Sequence, residues 1–123
     1  MNKFIFSFFS DVELEFIAEP ISRLVKISET KAVFRCIASP PSAKIRWLYR
    51  GQPIAQNIRW IRESDHKLTV LLSRMDRLIK SPHVLNNIYF QCEVRLKGHV
   101  LVSAPAKLTL AGKKIFLCIE TIT

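Results

Sequence analysis

Hydrophobic and polar residues alternate along most of this chain in short segments. A period of two places successive side chains on opposite faces of a β-strand. Turn-forming clusters separate the segments, among them Arg50-Gly51-Gln52-Pro53 and Lys97-Gly98-His99. The rhythm predicts an all-β domain whose strands lie at 15–19, 21–27, 31–38, 44–49, 58–62, 67–72, 87–96 and 100–110, with Pro20 and Pro105 as interruptions.

Strand parity predicts which side chains enter the core. If Cys36, Trp47 and Cys92 face inward, so do the residues two positions away on the same strands. The predicted core therefore contains Trp47 and Phe90, and with them Phe34, Ala38, Ile45, Tyr49, Ile88 and Val94. The alternating strand at 67–72 adds Leu68, Val70 and Leu72. The outward set on the two central strands is Arg46, Leu48, Arg50, Tyr89, Gln91, Glu93 and Arg95.

The charge balance is strongly basic. Nineteen Lys and Arg residues oppose ten Asp and Glu residues, which gives a formal net charge of +9, and nearly half of the basic residues fall within 44–80. A field of this sign favours polyanions such as sulfated glycans or acidic proteins. We predict a partner-binding or polyanion-binding face made of Lys44, Arg46, Arg50, Tyr89, Arg95 and Lys97. The alternative is a solvated basic surface without a partner.

Residues 73–86 form a long connection between two predicted strands. Met75, Leu78, Ile79 and Leu85 are spaced as in a helical turn that would tuck under the sandwich. The segment is either that structural crossover or a protruding basic loop.

The residues that catalysis requires are not grouped in this sequence. No nucleophile elbow, phosphate-binding loop or zinc-protease motif occurs, and His66, His83 and His99 stand far apart in predicted loops. We therefore expect no enzyme activity, no catalytic residue, no metal and no cofactor. Tyr89 is the one aromatic residue predicted on an outer sheet face, so we expect no nucleic-acid partner either.

The length of 123 residues predicts one domain, because a chain of this size can bury a sizeable core. The predicted strands place that domain at 13–112. Residues 1–12 read either as a truncated export leader or as a disordered N-terminus, and the alternative to an exported protein is a leaderless intracellular domain. Residues 113–123 read as a linker or the start of a following domain. No apolar run approaches the roughly 20 residues of a membrane-spanning helix, so a membrane anchor would belong to other parts of a parent protein.

The order and spacing of Cys36, Trp47 and Cys92 resemble an I-set immunoglobulin domain, a Greek-key β-sandwich. The resemblance implies a disulfide between Cys36 and Cys92 that packs against Trp47, with Cys118 left over. A finer similarity is to the first immunoglobulin domain of the DCC, neogenin and frazzled netrin receptors. Residues 16–20 look like that family's opening, and 106–112 look like the junction with its second domain. The off-track family of receptor-like pseudokinases is a close competitor.

This resemblance implies an extracellular, non-catalytic module of a single-pass adhesion or axon-guidance receptor. Its expected partners are a protein ligand, an adjacent immunoglobulin domain or heparan sulfate, because netrin is bound mainly by later domains in that family. Phe90 departs from the family pattern, which usually has Tyr two residues before the second cysteine and uses its hydroxyl in a corner hydrogen bond. The alternative is an intracellular I-set domain of a muscle-type scaffold protein with reduced cysteines.

Overall fold

Two layers of β-sheet enclose the core of this protein. The computed structural model describes residues 13–26, 28–55, 58–64, 66–75 and 88–110. Eleven strands are assigned within these residues, together with a single 3₁₀ turn at Leu72–Arg74. The strands are β1 (Glu15–Ala18), β2 (Arg23–Val25), β3 (Lys31–Arg35), β4 (Ile37–Ser39), β5 (Lys44–Tyr49), β6 (Gln52–Pro53), β7 (Ile61–Ser64), β8 (Lys67–Leu71), β9 (Tyr89–Leu96), β10 (His99–Val102) and β11 (Ala106–Leu110).

The larger layer is a six-stranded sheet in the order β2-β11-β9-β5-β6, with β10 also paired to β9. The other layer contains β3-β8-β7 and the pair β1-β4. Neighbouring strands are antiparallel except β2 and β11, which are parallel. The chain changes sheet after Pro20, because β1 pairs with β4 whereas β2 pairs with β11. This confirms the predicted interruption of the first strand at Pro20 and assigns its two pieces to opposite sheets.

The core predicted from strand parity is confirmed. Trp47 is 2% exposed, and Phe90 and Leu68 are fully buried. A disulfide joins Cys36 to Cys92 across the two layers, with 6.4 Å between their Cα atoms. The rest of the predicted set is also buried, apart from Ile45 and Tyr49, which are half-buried against the core.

Aromatic rings fill the space beside the disulfide. Phe90 lies 5.3 Å from Phe34 and 5.4 Å from Tyr49 between ring centroids. Trp60 meets Tyr49 edge-on at 5.4 Å, a geometry that aromatic pairs favour. Phe90 therefore packs among aromatic rings, in a position where its own ring needs no hydroxyl for packing.

Several strand boundaries differ from the sequence prediction. The strand predicted at 58–62 lies instead at Ile61–Ser64, because Arg59 and Trp60 form a turn and the Trp60 carbonyl accepts from the Leu71 N–H. The strand predicted at 31–38 divides at Cys36, whose N–H donates to the His66 carbonyl. The strand predicted at 100–110 divides at residues 103–105.

Two hairpin turns use residues with positive φ at both central positions. Arg50 and Gly51 connect β5 to β6 with φ of 53° and 85°, and Lys97 and Gly98 connect β9 to β10 with φ of 49° and 84°. Such turns match the right-handed twist of the strands that they join. Both turns coincide with predicted turn clusters, although the strand β6 was not predicted.

In the region of the predicted helical turn after β8, the structure describes a 3₁₀ turn at Leu72–Arg74 followed by the buried Met75. The remaining members of the predicted helical turn, Leu78, Ile79 and Leu85, lie outside the described residues. So do His83, the predicted leader at 1–12 and the tail at 113–123 with Cys118. Within the described part of the chain, no helix has the length and hydrophobicity to cross a membrane.

Candidate functional site

The outer surface of the larger sheet is formed by β5, β9 and β10. Register places Lys44 opposite Arg95, Arg46 opposite Glu93, and Leu48 opposite Gln91. Residues on either side of these in the sequence, such as Trp47 and Cys92, face the core. We call this surface the β5–β9–β10 face, with the members Lys44, Arg46, Leu48, Tyr89, Gln91, Glu93, Arg95, Val100 and Val102.

Glu93 lies at the centre of this face. Its side chain is 9% exposed, and its Oε1 accepts from Arg46 Nε at 3.0 Å and from Arg95 Nε at 2.9 Å. The hydrogen bond from Arg95 and the charge of Arg46 hold the pKa of the Glu93 carboxyl below its usual value. The same hydrogen bond raises the pKa of Arg95.

This triad changes the charge expected of the face. Arg46 and Arg95 were predicted to add to one cationic patch, but both guanidinium groups pair with the same carboxylate. Three charged groups together therefore carry a single net positive charge. Glu93 had been placed on this face by parity but not in the predicted site, because its cross-strand pairing with Arg46 is not visible in the sequence.

Exposed apolar side chains border the triad. Val100 and Val102 of β10 are 42% and 48% exposed, and they lie opposite Arg95 and Glu93 respectively. Neither valine was part of the predicted site. Leu48, which parity placed outward and exposed, is only 6% exposed. It is flanked by Gln91 on one side and by Pro53 of the unpredicted strand β6 on the other.

The predicted face residues separate into two groups. Lys44, Arg95 and Lys97 surround a shallow depression of about 230 Å³ near the β9–β10 turn. Arg50 and Tyr89 lie at the opposite end of the strands, where the Arg50 N–H donates to the Tyr89 carbonyl at 3.0 Å. Arg46 stands between the two groups. The predicted residues therefore share one sheet but do not converge on one point.

Ser103 fixes the edge of this face at the break between β10 and β11. Its buried hydroxyl accepts from the Cys92 N–H at 2.9 Å, and its own N–H donates to the Cys92 carbonyl at 2.9 Å. The Gln91 side-chain amide donates to the Ser103 carbonyl at 3.0 Å. A polar residue two positions before Pro105 was the available sequence signal for this role.

A second depression lies between β5 and β7 and has a volume of about 220 Å³. Glu63 lines it together with Ile45, Trp47 and His66. Burial raises the pKa of the Glu63 carboxyl. Among the residues that the structure describes, no group of three or more His, Cys, Asp or Glu side chains is placed to hold a metal ion.

Solved structures with similar folds include immunoglobulin domains arranged in tandem. Tandem immunoglobulin repeats of Dlar match 80% of this chain and 46% of theirs, with a TM-score of 0.61 and 14% identity. The N-terminal four immunoglobulin domains of Dscam1 isoform 7.44 match 80% of this chain and 26% of theirs, with a TM-score of 0.58 and 19% identity. This chain has an immunoglobulin-like fold. Murine CEACAM1b is similar over 80% of this chain and 43% of its own, with a TM-score of 0.53 and 20% identity.

Sequence comparison finds relatives among cell adhesion molecules. The protein named cell adhesion molecule-related/down-regulated by oncogenes is 30% identical in Mus musculus over 103 residues, or 84% of this chain. Its counterpart in Homo sapiens is 28% identical over 102 residues, or 83% of this chain. This immunoglobulin-like chain spans 7% of the length of either relative. No protein-family model matches it.

Proposed function

We propose that this chain is a non-catalytic, extracellular protein-binding module of a cell-surface adhesion or guidance receptor of the netrin-receptor kind. The observation that carries the proposal is the Arg46–Glu93–Arg95 triad, in which two half-exposed arginines share one nearly buried carboxylate, beside the exposed Val100 and Val102. Arginine is enriched at protein interfaces, and apolar groups in their centre supply affinity. The β5–β9–β10 face combines arginine side chains with exposed apolar side chains, and strand pairing holds their positions.

The disulfide between Cys36 and Cys92 supports the extracellular location. Such bonds persist in secreted and cell-surface proteins, whereas the reducing cytosol keeps most thiols free. Similarity to cell adhesion molecule-related/down-regulated by oncogenes supports a role in adhesion. An intracellular scaffold domain is the competing function, and it requires both cysteines to be reduced.

A binding screen tests the proposal. The full chain, produced by a secretory route and attached to a sensor surface, is exposed to an array of purified cell-surface and secreted ectodomains. We expect at least one ectodomain to bind saturably. Val102→Asp places a charge on the β5–β9–β10 face and should weaken that binding by about tenfold or more.

Ile17→Asp is the matched control, because Ile17 is also an exposed apolar residue, at 64%, but lies on β1 in the other layer. This variant should bind the same ectodomain within about twofold of the parent, as exposed positions tolerate substitution. Equal loss in both variants, or an array without any bound ectodomain, would overturn the proposal.

A further inference from the structure

The outer surface of the smaller layer, on β3, β8 and β7, is cationic. Ala32 and Phe34 on β3, and Leu68 and Val70 on β8, are buried, so their immediate neighbours along each strand face solvent. Ile61 of β7 is buried in the same way. The solvent-facing positions of the three strands include the exposed cations Lys31, Arg35, Arg62 and Lys67, which we call the β3–β8–β7 cluster.

Register brings three of these cations close together. Arg35 lies directly opposite Lys67, and Arg62 lies opposite Thr69, which is diagonal to Lys67. Side chains directly opposite on antiparallel strands have Cβ atoms about 5 Å apart, and diagonal neighbours are about 7–8 Å apart. Lys31 extends the cluster along β3 by four residues, or about 13 Å.

The closeness of these four cations does not favour the folded state. Like charges directly opposite each other on a sheet destabilise it, and no carboxylate of the described residues lies within 4.0 Å of these four cations. Glu63 is on β7, but it pairs with the buried Leu68 and lines the depression beside Trp47. The contrast is with Arg46 and Arg95, whose charges are shared with Glu93.

We propose that the β3–β8–β7 cluster binds a sulfated polysaccharide chain. A linear polyanion supplies repeated anionic groups that match cations spread along and across strands, and the net charge of +9 would attract it. The solvent-facing positions between these cations are Val33, Leu71, Thr69 and Ser64. None of these is aromatic, so the surface lacks the stacking platforms on which single-stranded nucleic acids rely.

The choice of a sulfated glycan rests on the proposed extracellular location, where such chains are encountered. It moves the polyanion site away from the face predicted from the sequence. Lys44 and Lys97 belong to that earlier face and do not pair with Glu93, so they provide a matched comparison for Arg35 and Lys67. Each pair of substitutions to Gln removes two positive charges.

The test measures binding of a size-defined heparin oligosaccharide to the full chain over a series of salt concentrations. R35Q/K67Q should weaken binding by about tenfold or more at physiological salt, and the slope of log affinity against log salt should fall by about two. K44Q/K97Q should change the affinity by less than about threefold. Circular dichroism checks that both variants fold.

Equal weakening in the two variants would overturn the proposal, because net charge and not the position of the cations would then determine binding. A larger loss in K44Q/K97Q would also overturn it, because heparin would then bind to the other face. Tighter binding of single-stranded DNA or of vesicles rich in phosphatidylserine than of heparin at the same salt would contradict a sulfated ligand. Val102→Asp should leave heparin binding unchanged. Failure of the glycan site is therefore distinguishable from failure of the protein-binding face.

Discussion

Arg46 and Glu93 lie directly opposite each other on β5 and β9, and the Arg46 Nε donates to Glu93 Oε1 at 3.0 Å. The carboxylate is nearly buried, whereas the Arg46 side chain is 48% exposed. Arg95 closes the arrangement from the same strand as Glu93. This geometry holds two arginine side chains in fixed positions on the face that we propose for protein binding, which lowers the entropy lost on association.

Removing the Glu93 charge should destabilise the fold. Glu93→Gln keeps the shape of the side chain but loses the charged acceptor, and we expect a cost of about 1–2 kcal/mol in the free energy of unfolding at about pH 7. The pKa of Glu93 is lowered in the folded state from an ordinary value of 4.5. Its contribution is therefore complete above pH 4.5 and is lost as the pH falls through the folded-state pKa.

Urea denaturation at about pH 7 and about pH 3 measures this difference. The stability gap between the parent and Glu93→Gln should be smaller at the lower pH. A gap that stays constant between the two pH values would show that the carboxylate charge does not contribute.

Glu63 should behave in the opposite direction. Burial raises its folded-state pKa, so the protonated form is favoured in the folded protein and ionisation reduces stability. Glu63→Gln should therefore raise the unfolding midpoint at about pH 7, and this gain should shrink as the pH falls below the folded-state pKa. Thermal melts across the acidic range measure the effect, and a lower midpoint for the variant at neutral pH would refute this assignment.

The β9–β10 turn can be improved by a residue that tolerates positive φ. Lys97 adopts φ of 49° beside Gly98, and side chains other than Asn, Asp and Gly are strained there. Lys97→Asn should stabilise the domain by up to about 1 kcal/mol. Gly98→Ala should destabilise it by about 1 kcal/mol, because φ is 84° and an L side chain is strained in that conformation. An added Cβ would meet no atom within 4 Å, so the cost comes from the backbone conformation and not from a clash.

Chemical denaturation measures the free energy of unfolding of both variants and of the parent. A stabilising Gly98→Ala variant, or a Lys97→Asn variant less stable than the parent, would contradict the turn geometry.

The sequence could predict the core because alternation acts within each strand. Phe90 follows from parity once Trp47 and the two cysteines face inward, and Leu68 follows from the alternation of its own strand; the burial of all three confirms the prediction. Glu93 and the Arg35–Lys67 pair could not be identified in this way, because they depend on the register between strands distant in the sequence. Register is set by three-dimensional packing and turn geometry.

Short strands were the other gap in the prediction. The two residues of β6 carry no periodic pattern, and their strand was therefore not predicted. Its pairing with β5 places Pro53 beside the buried Leu48. The strand after Trp60 was placed too early because alternation does not reveal that the backbone turns at residues 59–60. Turn residues with an ordinary side chain give little local signal.

The redox state of Cys36 and Cys92 in the cell tests the account most directly, because an extracellular module and an intracellular scaffold differ in it. The protein is isolated from cells that express it, with thiols blocked by an alkylating reagent at lysis, and is mapped by mass spectrometry without reduction. We predict that the peptides containing Cys36 and Cys92 are recovered as one cross-linked species. Recovery of both cysteines in alkylated form from folded protein would contradict the extracellular function.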